Sequence, residues 1–548
     1  MDYKQRLIKL IFTIIVLVIP VASDAAIKKA ASGNSSITVD QYEIVDIPFK
    51  LKSTVENPFD LNCNAVFTAP SGAKQIVPCF YNGSGEWILR FSSDEQGTWK
   101  YYLQSDNKSL NNKKGIITIT SKKYNDRKGP VVLDKNNPHT FFWKDRSPYF
   151  LMAFECDFLF ALDYGIPNQK RLNGFLDKVK ENGFNHIVMN VYANDVEWAK
   201  DKNLKNTPEY EFGNNDRMFP FLGSNNAPDY SSLNCEFFKN LDTKIESLND
   251  RDIISHLMIY VWNKRVNWPK LASKADDMYF DYVVKRYQAF SNIVWDISKE
   301  ALYYGVADDS FILDRIDRVR ELDSYKRLVT VHDFGFCRRH SEKVDFIAHQ
   351  DWNRALYDDM YKNYNLFKDK PIFNIEHGGY EECDYKVFVG NYINAEACLR
   401  RNYECAFAGA YSTYYWQGCS WNVFMYDFDS SSKLKYNPRF DYFKYMTEFF
   451  AKYPFNEFTP KPYLNSSGYC LSNEKGTYLF YVPKESYKLG ANSILKNSKE
   501  VFAQWFNTNT GEYSDSHMIK GKDVFDMPAN PWHMKNDAIL IMKTTKQK

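Results

Sequence analysis

Two glutamates stand where side chains that do chemistry are expected. Glu300 closes the segment Asn292-Ile-Val-Trp-Asp-Ile-Ser-Lys-Glu300, and Glu376 closes Lys370-Pro-Ile-Phe-Asn-Ile-Glu376. Each lies at or just past the end of a short apolar run of the kind a buried parallel strand needs. Of two carboxyl groups at one site, one can act as the acid that protonates a leaving oxygen, and the other can act as a nucleophile or base. Either residue alone could simply be a solvated strand end, so the surrounding elements decide between these interpretations.

The central part of the chain alternates strand patterns with amphipathic helical patterns. The predicted strands span residues 148–154, 186–190, 253–261, 292–296, 327–332, 344–349, 372–376 and 406–414. Eight such alternations predict a parallel (β/α)8 barrel, in which chemistry gathers at the C-terminal ends of the strands. A doubly wound open sheet is the alternative. It is disfavoured because no G-x-G-x-x-G sequence follows any strand.

Short alternating strands with turn residues precede and follow the barrel pattern. They predict an N-terminal β-sandwich over 36–124, a barrel domain over 135–457 and a C-terminal β-sandwich over 458–548. The expected fold class is therefore α/β, a TIM barrel flanked by two small all-β sandwich domains.

The first 26 residues have the pattern of a secretory signal peptide. Lys4, Arg6 and Lys9 precede an apolar run over 10–19, and small residues follow at 22–26. This pattern predicts export, to the periplasm or beyond the cell, and no later run is apolar enough to span a membrane. Lys and Arg total 70 against 68 Asp and Glu, a balance that disfavours nucleic-acid binding.

Polar and aromatic residues recur at the predicted strand ends. They are Asn190, Tyr192, Trp262, His332, His349, Asp351, Trp352, His377, Tyr414 and Trp416. Sugar hydroxyls favour charged hydrogen-bond partners, and sugar ring faces stack on aromatic rings. The set therefore predicts a carbohydrate site, although each histidine or tryptophan alone could be structural.

Other chemistries lack their motifs. The chain has no G-x-S-x-G, no H-E-x-x-H and no P-loop, and its ten cysteines form no C-x-x-C pair. His332, Asp333, His349, Asp351 and His377 could be imagined as metal ligands, but their spacing is not diagnostic. We expect no metal and no cofactor.

The segment from Tyr282 to Glu300 resembles the R-Y-x-x-F-x-N-V-x-W-x-x-x-N-E pattern of retaining barrel glycosidases of the cellulase-like clan. More closely, the barrel resembles the apiosidase-like glycoside hydrolases of Bacteroidetes. The domain order is also similar to theirs. The segment Ala503-Gln-Trp-Phe-Asn-Thr-Asn-Thr-Gly-Glu512 is similar to the W-F-x-P-x-T-G-E signature of their C-terminal domain, which is named for collagen binding.

The resemblance implies that Glu300 is the acid/base and Glu376 the nucleophile. The clan has Asn before the acid/base, and this chain has Lys299. Lys299 could donate to a sugar hydroxyl or to an acidic sugar. It would also lower the pKa of Glu300, whereas burial or a negative Glu376 would raise it. The expected function is a secreted, retaining glycoside hydrolase; the alternative is a non-catalytic carbohydrate-binding or adhesion protein on a barrel scaffold.

Overall fold

The computed structural model describes residues 27–30, 36–51, 55–122, 127–194, 217–377, 395–415, 439–465 and 468–546. The predicted signal peptide and Trp416 lie outside these residues. Among the helices in these ranges, none has the length and apolar character that crossing a bilayer requires.

Two sheets face each other in the N-terminal region, in the strand orders β1-β3-β7-β6 and β2-β9-β8-β4-β5. The strands are β1 (Lys28–Lys29), β2 (Ser36–Asp40), β3 (Val45–Lys50), β4 (Cys63–Thr68), β5 (Lys74–Pro78), β6 (Phe80–Tyr81), β7 (Glu86–Phe91), β8 (Gly97–Ser105) and β9 (Lys114–Thr120). Phe67, Leu89, Phe91 and Leu103 are fully buried in their shared core. In β8 and β9 the alternation that predicted strands places every second side chain between the sheets.

A small antiparallel sheet and a barrel follow. The small sheet comprises β10 (Val131–Leu133), β11 (Phe141–Trp143) and β12 (Pro148–Tyr149). The barrel strands are β13 (Met152–Glu155), β14 (His186–Asn190), β17 (Ile254–Val261), β18 (Ile293–Lys299), β19 (Val329–His332), β20 (Ile347–Gln350), β21 (Ile372–Glu376) and β22 (Tyr411–Tyr414), with the hairpin β15 (Phe221–Ser224) and β16 (Ala227–Leu233) inserted between the second and third. Their order, β19-β18-β17-β14-β13-β22-β21-β20, is parallel throughout and leaves one seam, between β19 and β20. The predicted barrel is confirmed.

Helices surround the barrel. They are α1 (Lys170–Glu181), α2 (Cys235–Asn249), α3 (Lys274–Tyr287), α4 (Asp309–Leu322), α5 (Phe334–Arg339), α6 (Leu356–Leu366), α7 (Ala395–Phe407) and α8 (Phe440–Lys452). Polar side chains start several of them: Asn234, Ser273 and Asp308 each accept hydrogen bonds from first-turn amides. Short 3-10 turns occur at 159–161, 341–343, 455–457, 462–464 and 524–526.

The C-terminal region is a six-stranded antiparallel sheet in the order β23-β24-β25-β28-β26-β27. Its elements are β23 (Thr459–Pro460), β24 (Tyr469–Ser472), β25 (Thr477–Val482), α9 (Asn492–Lys496), β26 (Ser498–Asn507), β27 (His517–Ile519) and β28 (Ala538–Lys546). The all-β prediction for both flanking regions is confirmed.

The first and the eighth predicted barrel strands include residues that belong to other elements. The first was predicted over 148–154, but Tyr149 pairs with Phe141 in the small sheet, and the barrel strand begins only at Met152. The eighth was predicted from Ala406. Residues up to Phe407 continue α7 because Cys398, Asn402, Cys405 and Ala406 recur at helical spacing and are buried. Gly409, with φ of 86°, turns the chain into β22.

A buried charge network joins the N-terminal sheets to the barrel. Arg90 of β7 pairs with Asp46 of β3 at 2.8 Å and with Asp242 of α2 at 3.0 Å. Arg286 of α3 pairs with the same Asp242 at 2.6 Å. Two arginines and two carboxylates therefore satisfy one another where the two regions meet, as buried charges require.

Candidate active site

Both strands that carry the glutamates contain one extra residue just before their ends. In β18, two residues lie between Asp296 and Lys299, whereas only one lies between their partners in β19. In β21, one residue lies between Asn374 and Glu376, whereas their partners in β20 are consecutive. Side chains alternate along a strand, so one inserted residue moves the following side chain to the other face. These two bulges turn Lys299 and Glu376 toward the barrel interior.

Lys299 lies between two carboxylates. Its Nζ is 2.7 Å from Oε1 of Glu155, at the end of β13, and 3.0 Å from Oε2 of Glu376. All three side chains are buried. Burial acts to lower the pKa of Lys299, but the charges of Glu155 and Glu376 outweigh it and hold that pKa well above its ordinary value. Lys299 is therefore a permanent cation whose charge is shared within the protein.

Glu300 follows directly and has a left-handed backbone conformation. Its φ is 61°, which costs a non-glycine residue on the order of 1–3 kcal/mol. Its amide donates to the carbonyl of His332 at 3.2 Å. Burial raises the pKa of Glu300 above its ordinary value; Lys299 acts against this rise and Glu376 adds to it. The carboxyl group thus keeps a proton to higher pH than an ordinary glutamate does.

A second buried ion pair lies beside the first. Asp157, just beyond β13, pairs with Nζ of Lys264 at 2.8 Å. Asn190, at the end of β14, donates from Nδ2 to Oδ1 of Asp157 at 3.2 Å. Each of these side chains is buried, with at most 1% of its surface exposed. The predicted Asn190 therefore belongs to a preorganised polar network at the C-terminal ends of β13, β14 and β17.

His332 faces the candidate nucleophile. Its Nε2 is 4.0 Å from Oε2 of Glu376. Burial lowers the pKa of His332 well below its ordinary value, and the nearby Lys299 charge lowers it further. The ring is therefore neutral beside the carboxylate. Gln350, which pairs in register with Glu376, lies within hydrogen-bonding reach of Glu300.

A row of hydrogen-bonded side chains fills the barrel beneath these groups. Tyr149 Oη lies 3.0 Å from Nδ1 of His186, His186 Nε2 lies 3.0 Å from Nδ1 of His256, and His256 Nε2 lies 3.0 Å from Oδ2 of Asp296. The hydroxyl of Tyr149 also donates to the carbonyl of Asn185 at 3.1 Å, so the row is tied to the backbone at its tyrosine end. Asp296 also accepts from the amide of His332 at 2.9 Å, which fixes the end of β19.

The remaining predicted residues lie in different environments. Tyr192 and Tyr414 are buried among aromatic rings of the surrounding shell. Trp262 is half-buried and stacks on Tyr260 with centroids 5.9 Å apart.

His349 stacks on Phe334 of α5 at 3.7 Å and lies 3.0 Å from Nδ2 of Asn363 of α6, so its ring packs against helices. Burial raises the pKa of Asp351, whose carboxylate accepts from the amide of Asn353. Trp352 is half-buried in the same loop, and burial lowers the pKa of His377 to about 4.

Several site residues were missed by sequence reasoning. Glu155, Asp157 and Lys264 belong to the two buried ion pairs, and Gln350 lies next to Glu300. Glu155 ends the first barrel strand and Asp157 lies two residues past it, so the strand-end rule could have found them. Lys264 lies three residues past β17, where no pattern marks it. Within the described ranges, no group of three or more His, Cys, Asp or Glu side chains is arranged to hold a metal ion.

Comparison with known proteins supports a family assignment. Residues 134–456 match the model of the apiosidase-like catalytic domain, and residues 38–106 match a domain of unknown function, DUF5060. No curated protein matches the chain. Among solved structures, a candidate glycoside hydrolase from Bacteroides vulgatus ATCC 8482 is 18% identical with a TM-score of 0.73, over 92% of this chain and 100% of that one.

A glycoside hydrolase of family 5 from the same organism is 15% identical with a TM-score of 0.53, over 76% of this chain and 93% of that one. At such identities the solved structures show a shared fold. The family match spans more than half of the sequence, so the chain belongs to the apiosidase-like family.

Proposed function

We propose that this protein is a secreted glycoside hydrolase that cleaves O-glycosidic bonds in a poly- or oligosaccharide with retention of configuration. Glu376 attacks the anomeric carbon, and Glu300 first protonates the leaving oxygen and then deprotonates water. The observation that carries the proposal is the different environment of the two carboxylates. Burial raises the pKa of Glu300, and a lysine ammonium lies 3.0 Å from Glu376.

That difference suits the two roles. An acid must hold a proton at working pH, and a raised pKa provides it. A nucleophile must be ionised, and an ammonium group at hydrogen-bonding distance stabilises the charge of the Glu376 carboxylate. Paired carboxylates whose environments differ in this way are the usual arrangement of acid and nucleophile in glycosidases.

The contacts of Lys299 account for a lysine at the position where the clan has asparagine. With Glu155 and Glu376 on either side, its ammonium neutralises carboxylate charge that would otherwise be buried unpaired. A carboxylate of an acidic sugar would have to compete with these two protein groups. We infer that Lys299 stabilises the charge of the Glu376 carboxylate and does not bind an acidic substrate.

The same lysine favours a second candidate function. A cation in contact with Glu376 also stabilises the resting carboxylate and reduces its nucleophilicity. A barrel that binds a glycan without cleaving it is therefore the alternative. The two functions differ in one observable, the release of new reducing ends.

A panel of plant, algal and host polysaccharides distinguishes them. The purified protein is incubated with each glycan, and the products are separated by chromatography. The proposal expects shorter products from at least one glycan. Binding of a glycan with no products from any would favour the non-catalytic barrel.

The pH dependence of the reaction reports Glu300. Because the acid must be protonated, kcat/KM is expected to fall as pH rises through the raised pKa of Glu300. The Glu300→Gln variant is expected to lose about 100-fold on the glycan. With a glycosyl fluoride, whose leaving group needs no proton, the variant is expected to keep the first step, the release of fluoride, without the descending limb. Hydrolysis of the glycosyl enzyme is expected to slow, because no base then activates water. An unchanged descending limb in that variant would assign the proton to another group.

Export supports the choice of a glycan substrate. The signal-like residues 1–26 lie outside the described residues, and they indicate that the mature protein works in the periplasm or outside the cell. Polymeric carbohydrates are encountered there. Detection of the processed N-terminus in an extracytoplasmic fraction tests this part of the proposal.

A further inference from the structure

The turn that follows Glu300 displays two tyrosines to solvent. Tyr303 is 83% exposed and Tyr304 is 49% exposed. Their rings meet edge to face, with centroids 5.2 Å apart. Val306 adds a third exposed apolar side chain, so the patch is continuous along the turn.

The turn is held in place by its own backbone. The amide of Tyr304 donates to the carbonyl of Glu300 at 3.1 Å, and that of Val306 donates to Ala301 at 3.1 Å. Ala301 is fully buried, which anchors the start of the turn. The tyrosines are therefore presented on a fixed backbone, and a ligand that stacks on them would not have to order the main chain.

Their position relative to the two glutamates gives the patch a direction. The patch begins three residues past Glu300, the residue that would protonate the leaving oxygen. The hydrogen bond from the amide of Tyr304 to the carbonyl of Glu300 keeps the turn at the C-terminal end of β18, next to the acid. Burial raises the pKa of Tyr304, and the charge of Glu300 raises it further. The sugar beyond the scissile oxygen lies on the side of the acid, because the acid must reach that oxygen.

We propose that Tyr303 and Tyr304 form a stacking subsite for the leaving-group sugar and take up the apolar face of a pyranose ring. The subsite rests on the proposed hydrolysis and specifies which side of the cleaved bond the tyrosines bind. Each ring offers a broad apolar surface with a polar tip, and a pyranose offers C–H faces edged by hydroxyls. The occupant is thus the substrate itself.

Two substrates of the same sugar isolate this subsite. One is the glycan cleaved in the panel, which extends past the scissile bond. The other is the glycosyl fluoride of the sugar whose anomeric carbon is attacked. Fluoride replaces the leaving-group sugar there, so this substrate has no ring to bind at the tyrosines. For the Tyr303→Ala/Tyr304→Ala double variant, kcat/KM on the glycan is expected to fall about 10-fold or more, and on the fluoride to stay within about threefold.

Two controls accompany the double variant. Tyr463→Ala removes a 74% exposed tyrosine elsewhere and is expected to change neither substrate. Tyr303→Phe/Tyr304→Phe keeps both rings and is expected to retain most activity on the glycan. Equal losses on both substrates, or no loss on the glycan, would overturn the subsite while hydrolysis stands. Failure of the wild-type protein to cleave any glycan would overturn the proposed function and the subsite with it.

Discussion

The Glu376→Gln variant is expected to lose hydrolysis of every glycan that the wild-type protein cleaves, by at least about 10,000-fold in kcat/KM. Glutamine keeps the size and shape of the side chain, but its amide cannot attack an anomeric carbon. Such a loss corresponds to about 5.5 kcal/mol of transition-state stabilisation. It is measured by the release of reducing ends, with glycan binding measured in parallel.

A matched control separates chemistry from folding. Glu342→Gln changes an exposed glutamate on the turn at 341–343 and is expected to retain full activity. Glu376→Gln should still bind the glycan, because its side chain keeps its polar shape. Retention of more than a tenth of the activity on any cleaved glycan would remove Glu376 from the role of nucleophile.

Replacing Lys299 by methionine is expected to destabilise the protein by about 3–5 kcal/mol at neutral pH. The change leaves Glu155 and Glu376 buried without the cation that lies 2.7 and 3.0 Å from them. Buried carboxylates without a partner must take up protons or draw in water, and both cost stability. Urea unfolding followed by intrinsic fluorescence measures the loss.

The pH dependence of this loss identifies its cause. In Lys299→Met, ionised Glu155 and Glu376 repel each other, so protonation at lower pH should reduce the deficit relative to wild type. A second change, Glu155→Gln, should recover part of it at neutral pH. Lys343→Met removes an exposed pair with Asp317 and is expected to stay within about 0.5 kcal/mol. A Lys299→Met protein as stable as wild type at neutral pH would contradict the charge-sharing arrangement.

The barrel could be predicted from the sequence because parallel strands leave a strong apolar signal. The runs that end at Glu300 and Glu376 are apolar because their strands are buried on both faces. The strand predicted over 372–376 has the same bounds in the structure. The flanking sheets followed from alternation alone. Where helix and strand patterns overlap, as at Ala406 and Phe407, burial at helical spacing decided the structure.

The site could be predicted only in part. The bulges before Lys299 and Glu376 depend on the register between strands, which no single segment encodes. Lys299 was noticed as a departure from the clan, but its partner Glu155 lies 144 positions away in the sequence, and only the closed barrel brings the two together. For the same reason the row from Tyr149 to Asp296 was not foreseen.

Identification of the residue that bonds to the sugar tests the paired-glutamate mechanism most directly. The Glu300→Gln variant is incubated with the glycosyl fluoride, so that the glycosyl enzyme forms but no base assists its hydrolysis. Mass spectrometry is expected to find the sugar on the tryptic peptide 369–386, at Glu376, and to find none in a variant that also carries Glu376→Gln. A sugar bonded to another residue, or turnover to a product of inverted configuration with no adduct, would contradict the account.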